Sequence, residues 1–126
     1  KRKVMPTKAI HASAHIAKSA VLGHGNFINA NVTLGAGSDL ANHCILHSGC
    51  TVDHDAKLGD FVQIGAGATV SANVTLGENA FVGAGSVLVS GIKIGKNARV
   101  GAGSVVIADV ADGDTVFGNP AQKVDA

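Results

Sequence analysis

The amino-acid sequence predicts an all-β fold in which the chain winds as a parallel β-helix of six-residue repeats. The first observation is the period itself, because from Ile10 onward every sixth side chain is Ile, Leu or Val. Neither the 3.6-residue period of an α-helix nor the two-residue period of an isolated strand fits this spacing. The seventeen aliphatic positions are Ile10, Ile16, Leu22, Ile28, Leu34, Leu40, Leu46, Val52, Leu58, Ile64, Val70, Leu76, Val82, Leu88, Ile94, Val100 and Val106.

Two further observations place a bend after each short strand. Four residues after each aliphatic side chain the residue is mostly small or β-branched, as at Ala14, Cys44 and Val62. Gly or Asn, which tolerate a positive φ, commonly occupies the bend. Three such repeats close one triangular coil of eighteen residues, and coils stack at about 4.8 Å. Residues 10–106 are therefore expected to form a little over five coils. The predicted bend residues are Gly37, Gly67, Asn73, Asn79, Gly85, Asn97 and Gly103.

Composition narrows the possible functions of the 126 residues. The net charge is +1, so no strong field favours nucleic acid or an anionic membrane. Trp and Tyr are absent, which removes the usual stacking platforms for bases. No apolar run is long enough to span a bilayer, and two cysteines without a CxxC pair favour a cytoplasmic protein. We therefore expect no nucleic-acid partner and no membrane insertion by this segment.

Side chains that stack eighteen residues apart define three outward faces. Thr33, Thr51, Thr69, Val87 and Val105 form one column, and Val21, Asp39, Lys57, Thr75 and Lys93 form a solvated one. The remaining face carries Phe27, Ile45, Gln63, Phe81 and Arg99, beside Asn29, His47, Gly65, Gly83 and Gly101. A soluble monomer rarely exposes such an apolar strip. We predict that the Phe27/Ile45/Phe81 column is a subunit interface.

The segment around His54 departs most clearly from the repeat. His54 occupies a bend whose stacked equivalents are mostly Ala or Ser, and Asp55 follows it directly. A carboxylate beside an imidazole favours the charged ring and fixes its tautomer, which leaves the other ring nitrogen to accept a proton. We therefore predict that His54 and Asp55 are the catalytic residues, with His54 as the general base.

Two stretches carry a resemblance to a known family. They read "TVDHDAKLGDFVQIGAGATVSANVTLGENAFVGAGSVL" and "GAGSVVIADVADGDTVFGNPAQKV". They resemble the left-handed β-helix of hexapeptide-repeat acyltransferases. Within that group they are most similar to bacterial UDP-4-amino-sugar N-acetyltransferases of the bacillosamine pathway, with sialic-acid O-acetyltransferases as near relatives.

The resemblance implies a left-handed coil, a homotrimer and acetyl-CoA as co-substrate, with no metal. It also implies that His54 is the general base, that Asp55 raises its basicity, and that the acetyl group passes directly to the amine of a UDP-4-amino sugar. Gln63 stands where family members can carry a second His that contacts acetyl-CoA. The pantetheine-lining positions of the family fall on Ala84 and Ala102. A backbone N–H near Ala72 is the expected oxyanion donor.

We predict three segments: residues 1–9 as a lead-in or linker, 10–108 as the β-helical acetyltransferase domain, and 109–126 as a tail packed on the helix. In the resembled family an N-terminal Rossmann-like domain holds much of the nucleotide sugar. The glycine-rich pattern of that domain is absent here. Because the chain begins at Lys1 and not at Met, it stays open whether it is a fragment of a longer protein.

Alternative functions rest on fewer residues. Sialic-acid O-acetylation and acylation of another small molecule stay open within the acyltransferases. A γ-type carbonic anhydrase would need converging histidines, and His43, His47 and His54 are the only cluster. A non-catalytic or ice-binding β-helix would leave the His54–Asp55 pair unexplained. We expect His11 and His15 to be surface residues, and His24 and His43 to be solvated or locally hydrogen-bonded. His47 lies on the apolar face, where it can approach a neighbouring subunit. We expect Cys44 and Cys50 to be packing residues.

Overall fold

A computed structural model describes residues 9–124 of the chain. The predicted lead-in at residues 1–9 lies outside the described residues except for Ala9, as do the last two residues of the predicted tail. Most strands are two residues long and are separated by four-residue bends. They are β1 (Ala9–Ile10), β2 (His15–Ile16), β3 (Val21–Leu22), β4 (Phe27–Ile28), β5 (Thr33–Leu34), β6 (Asp39–Leu40), β7 (Ile45–Leu46), β8 (Thr51–Val52), β9 (Lys57–Leu58), β10 (Gln63–Ile64), β11 (Thr69–Val70), β12 (Thr75–Leu76), β13 (Phe81–Val82), β14 (Val87–Leu88), β15 (Lys93–Ile94), β16 (Arg99–Val100), β17 (Val105–Val106), β18 (Thr115–Gly118) and β19 (Ala121–Lys123).

Every third strand stacks on the one before it, which produces three sheets along the sides of a prism. Sheet A has the order β1-β4-β7-β10-β13-β16-β18-β19, sheet B runs from β2 to β17, and sheet C runs from β3 to β15. The pairing is parallel and in register at eighteen residues, as in Phe27↔Ile45 and Thr51↔Thr69. The chain makes about six turns of a left-handed β-helix, which confirms the predicted fold.

The interior of the prism is filled by the aliphatic column that the repeat predicts. From Ile28 to Val106 these side chains are almost completely buried. The small or β-branched residues of the bends, including Cys44 and Cys50, point into the same core. Ile10, in the first coil, is exposed because no coil with described structure lies beneath it. One continuous hydrophobic core therefore holds all three sheets in place.

The bends adopt the left-handed backbone conformation that the Gly and Asn residues predict. Positive φ values occur at all seven predicted bend residues. They occur also at three residues that rarely adopt them, namely His43 (58°), Asp55 (59°) and Phe61 (61°). At these three positions, which occupy two corners of the prism, the stacked neighbours determine the backbone conformation.

The C-terminal segment continues sheet A and then reverses. β18 pairs in parallel with β16, and β19 folds back antiparallel on β18 after a cis Asn119–Pro120 bond. The Phe117 ring lies where a side chain at Gly101 would otherwise stand. The tail therefore caps the last coil on one side of the prism.

The outward side chains of the three sheets form the stacked columns that the eighteen-residue spacing predicts. On sheet A, Phe27 is exposed, whereas Ile45 and Phe81 are half-buried. The Arg99 guanidinium lies over the Phe81 ring, with its central carbon 5.8 Å from the ring centroid. The charged column, which includes Asp39 and Lys57, lies on sheet C. In the described part of the chain, no helix is long and apolar enough to span a bilayer.

Candidate active site

The predicted catalytic pair lies in the bend between β8 and β9, at the corner where sheet B meets sheet C. We call this corner, formed by residues 35–38, 53–56, 71–74 and 89–92, the B/C corner. The stacked positions of His54 carry Ala36 and Ala72, so its ring is free to project outward. Because Asp55 has a positive φ, its side chain turns back toward the ring of its neighbour.

The geometry of the pair defines which ring nitrogen is available. His54 Nδ1 lies 3.0 Å from Asp55 Oδ2. A carboxylate only accepts hydrogen bonds, so the neutral ring carries its proton on Nδ1 and Nε2 is left as an acceptor. The His54 amide donates to Asp53 Oδ1 at 2.7 Å, and the His54 carbonyl accepts from the Asn73 amide at 3.1 Å. The backbone of His54 is thus held by one side chain and by the next coil.

The electrostatics favour a basic imidazole. The pKa of His54 is raised above its ordinary value, chiefly by the hydrogen bond to Asp55, while the charges of Asp53 and Asp55 act in the same direction and slight desolvation opposes them. Both side chains of the pair are more than half exposed. The ring can therefore exchange protons directly with solvent or with a bound substrate.

Two glycines in the coil below make room for the pair. A Cβ added at Gly37 would overlap Asp55 Oδ1, and a Cβ at Gly35 would lie 2.7 Å from the His54 backbone nitrogen. Sequence reasoning missed these two residues as part of the site. The signal that could have found them is their position, eighteen or nineteen residues before the pair, directly beneath it.

The residues predicted to contact the cofactor lie elsewhere on the prism. Gln63 is half-buried on the outward face of sheet A. Ala84 and Ala102 are exposed in the bends that follow β13 and β16. These bends belong to the corner between sheets A and B, formed by residues 47–50, 65–68, 83–86 and 101–104, which we call the A/B corner.

In the described part of the chain, each bend of the A/B corner leaves the amide of its second residue without a hydrogen bond, and Ala84 and Ala102 are two of these four residues. The amides of Gly85 and Gly103 donate to carbonyls of the coil below, with the Gly103 amide 2.8 Å from the Ala84 oxygen. Within residues 9–124, the Ala84 and Ala102 amides donate no hydrogen bond. A Cβ at Gly83 would approach the Ala102 nitrogen, so this strip accepts only small side chains. The strip therefore offers two free N–H donors beside bare backbone.

His47, which the sequence analysis places on the apolar face, lies beside the predicted cofactor residues. Its Nε2 atom is 3.5 Å from Gln63 Oε1, across one coil. Its own corner is the A/B corner, so His47, Gln63, Ala84 and Ala102 lie on one side of the prism. His54 and Asp55 lie at the opposite edge of sheet B. The two corners lie at opposite ends of the sheet B strands, and within residues 9–124 no hydrogen bond or ion pair joins one group to the other.

The remaining histidines and cysteines do not form a metal site. His43, His47 and His54 lie at three different corners, and residues 9–124 contain no group of three or more His, Cys, Asp or Glu side chains that could hold a metal ion. The ring of His43 stacks on Phe61, with centroids 5.3 Å apart, and His11 accepts a hydrogen bond from Ser13. The predicted packing role of Cys44 and Cys50 is confirmed. Both thiols are free and buried, and burial raises their pKa values to about 11 and about 12.

The fold and the repeat together define a left-handed β-helix built from six-residue repeats. The bacterial transferase hexapeptide family, which has six repeats, matches residues 73–108. This match and the solved structures described next confirm the resemblance that the sequence carries. No curated protein is similar enough in sequence to count as a relative.

Solved structures, among them a GDP-perosamine N-acetyltransferase and an acetyltransferase domain, are similar to this chain over nearly its whole length. A histidine-to-alanine mutant of GDP-perosamine N-acetyltransferase from Caulobacter crescentus, in complex with CoA and GDP-perosamine, is 34% identical over 97% of this chain, with a TM-score of 0.96. The acetyltransferase domain of PglB from Neisseria gonorrhoeae, in complex with acetyl coenzyme A, is 37% identical over 95%, with a TM-score of 0.94. WeeI from Acinetobacter baumannii is 28% identical over 91%, with a TM-score of 0.79. The chain spans 58% of the length of the first two solved chains and 57% of the third.

Proposed function

We propose that this chain is the catalytic domain of an acetyl-CoA-dependent N-acetyltransferase that acts on a nucleotide-linked amino sugar. The observation that carries the proposal is the His54–Asp55 pair, whose Nε2 atom faces outward without a partner in the described structure. The relatives support it, because one holds CoA with a nucleotide-linked amino sugar and another holds acetyl coenzyme A. The activity and the substrates are proposals for this chain.

The reaction that fits the pair is direct transfer. The substrate amine attacks the carbonyl carbon of the thioester, and His54 Nε2 accepts the amine proton as the tetrahedral intermediate forms. Asp55 accepts the Nδ1 hydrogen bond and stabilises the imidazolium. When the carbon–sulfur bond breaks, the imidazolium returns the proton to the sulfur of CoA. The products are the sugar amide and free CoA, and His54 is again neutral.

The oxyanion of the intermediate needs a hydrogen-bond donor close to the base. The Ala72 amide lies one coil above His54 and donates no hydrogen bond within residues 9–124. The neighbouring Asn73 amide is already used by the His54 carbonyl. A preorganised donor of this kind stabilises charge only in the transition state. We assign the oxyanion contact to Ala72.

A covalent acetyl-enzyme is not needed and has no good nucleophile here. Cys44 and Cys50 are fully buried, and burial raises the pKa of both thiols well above neutrality. The thiolate is the reactive form of cysteine, so both residues are unreactive at neutral pH. This supports transfer in a ternary complex.

Acetyl-CoA fits the A/B corner. In this arrangement the pantetheine arm lies along the exposed backbone of the bends that follow β13 and β16. The Ala84 and Ala102 amides in these bends donate to the carbonyl groups of the arm. Gln63 then contacts the thioester end. Since His54 stands on the other edge of sheet B, the base must come from a second copy of the chain. A homotrimer supplies it, because a ring of three copies puts the B/C corner of each against the A/B corner of the next.

The sugar nucleotide is the least defined part of the proposal. The resemblance favours a UDP-linked 4-amino sugar, whereas the Caulobacter relative was solved with GDP-perosamine. Neither corner carries a side chain that would distinguish the two bases by its chemistry. We propose the UDP-4-amino sugar as acceptor, and a cytoplasmic location, where acetyl-CoA and nucleotide sugars are made.

Acetyl transfer by the product of the whole gene tests the proposal. Release of the CoA thiol is measured with acetyl-CoA and a panel of UDP- and GDP-linked amino sugars and a sialic acid, with the N-acetylated forms of the amino sugars as controls that have no free amine. We expect turnover with at least one free amine and none with the blocked sugars. Hydroxyl acetylation of a sialic acid, without amine acetylation, would show that the sugar class is wrong. Failure to use acetyl-CoA with any acceptor would contradict the proposal as a whole.

A further inference from the structure

One side-chain contact beside the cofactor strip has no part in the mechanism above. His47 Nε2 lies 3.5 Å from Gln63 Oε1, and within residues 9–124 neither side chain makes another hydrogen bond. His47 follows β7, Gln63 lies in β10, and the two strands are adjacent in sheet A. Both side chains are half-buried on the outer surface of the prism. The contact therefore joins two successive coils next to the A/B corner.

The contact determines which way the carboxamide of Gln63 faces. The orientation of a carboxamide is assigned from its hydrogen bonds, and here the oxygen faces the ring. A carbonyl oxygen only accepts, so the His47 nitrogen donates and the ring carries its proton on Nε2. The NH2 group of Gln63 then points away from His47. It is left with two N–H donors for a carbonyl oxygen outside the chain.

His47 and Gln63 also lie at nearly the same height along the helix axis as His54. Eighteen residues raise the chain by about 4.8 Å, so His47, His54 and Gln63 lie within one coil of each other in height. In a homotrimer whose symmetry axis is parallel to the helix axis, His54 of the partner subunit lies at the same height as His47 and Gln63. Ala84 and Ala102 lie roughly 8 Å and 13 Å further along the axis. A cofactor arm lying on those two bends brings its thioester end to the level of His47 and Gln63.

We propose that His47 is a positioning residue of the cofactor site, which holds the Gln63 carboxamide so that its N–H group donates to the thioester carbonyl of acetyl-CoA. This rests on the function proposed above. His47 acts through Gln63 and does not itself touch the reacting atoms. The chain thus uses two side chains from neighbouring coils to place one hydrogen-bond donor.

A double-mutant cycle on binding tests this assignment without relying on turnover. Calorimetry measures the affinities of acetyl-CoA and CoA for the wild type, His47→Ala, Gln63→Ala and the double variant. One hydrogen bond to the acetyl carbonyl should give the wild type a preference for acetyl-CoA over CoA of about three- to tenfold. We expect Gln63→Ala to abolish this preference and His47→Ala to remove most of it, with CoA affinity unchanged in both. The double variant should behave like Gln63→Ala, because His47 acts only through Gln63.

A matched control and the possible outcomes separate this inference from the function on which it rests. His24→Ala removes an exposed histidine at the corner between sheets C and A, and we expect it to leave both affinities unchanged. If the wild type binds neither ligand, the proposed function and this inference both fail. If the wild type binds acetyl-CoA but His47→Ala changes both affinities equally or neither, this inference alone fails. Additive losses in the double variant would also overturn it, since they would show that His47 acts independently of Gln63.

Discussion

His54 is a surface residue whose basicity is set mainly by the residue that follows it. Asp55 accepts its Nδ1 hydrogen bond, and the left-handed backbone of Asp55 turns the carboxylate toward the ring. The sequence alone predicted both residues, because a polar pair interrupts a corner that otherwise carries small side chains. It did not predict the positive φ of Asp55, since aspartate adopts that conformation less readily than the Gly and Asn of the neighbouring coils.

Replacing the base should slow the chemistry without weakening cofactor binding. His54→Ala removes the proton acceptor, and a general base typically contributes about 10²–10⁴-fold. We expect kcat to fall by that factor while acetyl-CoA affinity, measured by calorimetry, stays close to that of the wild type. Because the ring is exposed, the circular dichroism spectrum should not change. Undiminished kcat in this variant would remove His54 from the mechanism.

The pH dependence of activity should report the raised pKa of His54. The base must be neutral to accept a proton, so kcat/KM should rise with pH through a pKa above the ordinary histidine value. Asp55→Asn removes the charge yet suits the left-handed backbone, so we expect the acid limb to move to lower pH and kcat at its plateau to fall less than in His54→Ala. An acid limb at the same pH in both proteins would show that Asp55 does not tune the base.

The raised pKa of His54 also predicts how the stability of the fold changes with pH, and this serves as a control for the activity profiles. A pKa raised in the folded state stabilises the fold fully below the unfolded pKa, and this contribution is lost as the pH rises through the folded pKa. Both partners are exposed, so the effect is small. The pH-dependent part of the stability difference between the wild type and Asp55→Asn, followed by thermal unfolding, should therefore be largest below the ordinary pKa of histidine and disappear as the pH rises through the folded pKa of His54.

At the scale of the coil, each element is shaped by the one stacked on it. Gly37 has no side chain where Asp55 Oδ1 needs space, whereas Gly91, two coils above Asp55 at the same corner, has no atom within 4 Å of its missing Cβ. Both glycines have a positive φ, 71° and 79° respectively. They form a matched pair in which only Gly37 lies against the Asp55 carboxylate.

Alanine substitution at these two glycines should separate backbone strain from site geometry. Each substitution places Ala in the left-handed region at a cost of about 1–2 kcal/mol, so we expect similar losses in the free energy of unfolding by urea. Only Gly37→Ala should displace the Asp55 carboxylate, and hence only this variant should lower the pKa of His54, followed by NMR titration of the ring. Equal pKa values in the two variants would mean that the empty space at Gly37 has no role in the site.

The elements show where sequence-based prediction succeeds and where it stops. The strands, their register and seven bends follow from a strict period of six, since core packing repeats at each coil. Phe61 and His43 break the preference of the bend for Gly or Asn, and their stacked rings depend on tertiary contact. The His47–Gln63 contact is equally invisible in the sequence, because it depends on how far two side chains reach across a coil.

At the scale of the whole molecule, the A/B corner and the B/C corner flank the outward column of sheet B, which carries no charged side chain above His15. The outward column of sheet B above His15 consists of Thr and Val, whereas the column of sheet C carries Asp and Lys. A ring that joins the B/C corner of one copy to the A/B corner of the next encloses sheet B. The Phe27/Ile45/Phe81 column, predicted as an interface, borders the A/B corner from sheet A and stays a prediction.

A single charge on each of two faces should distinguish this arrangement from a monomer. Thr69 on sheet B and Thr75 on sheet C occupy equivalent strand positions in one coil. We expect Thr69→Asp to lower the sedimentation coefficient from trimer toward monomer, with lower activity, because it buries a charge in the ring. Thr75→Asp lies between Lys57 and Lys93 and should leave the assembly intact. A wild type that sediments as a monomer at micromolar concentration would refute the shared site.

The hairpin of β18 and β19 determines what kind of strand can add to the edge of sheet A. A stack of parallel coils exposes unpaired backbone N–H and C=O groups at its last turn, and any similar coil can bind there. On sheet A this edge is occupied by β18, and the antiparallel β19 that follows offers a strand of the wrong direction for another parallel coil. Growth by end-to-end addition is thereby blocked on that side.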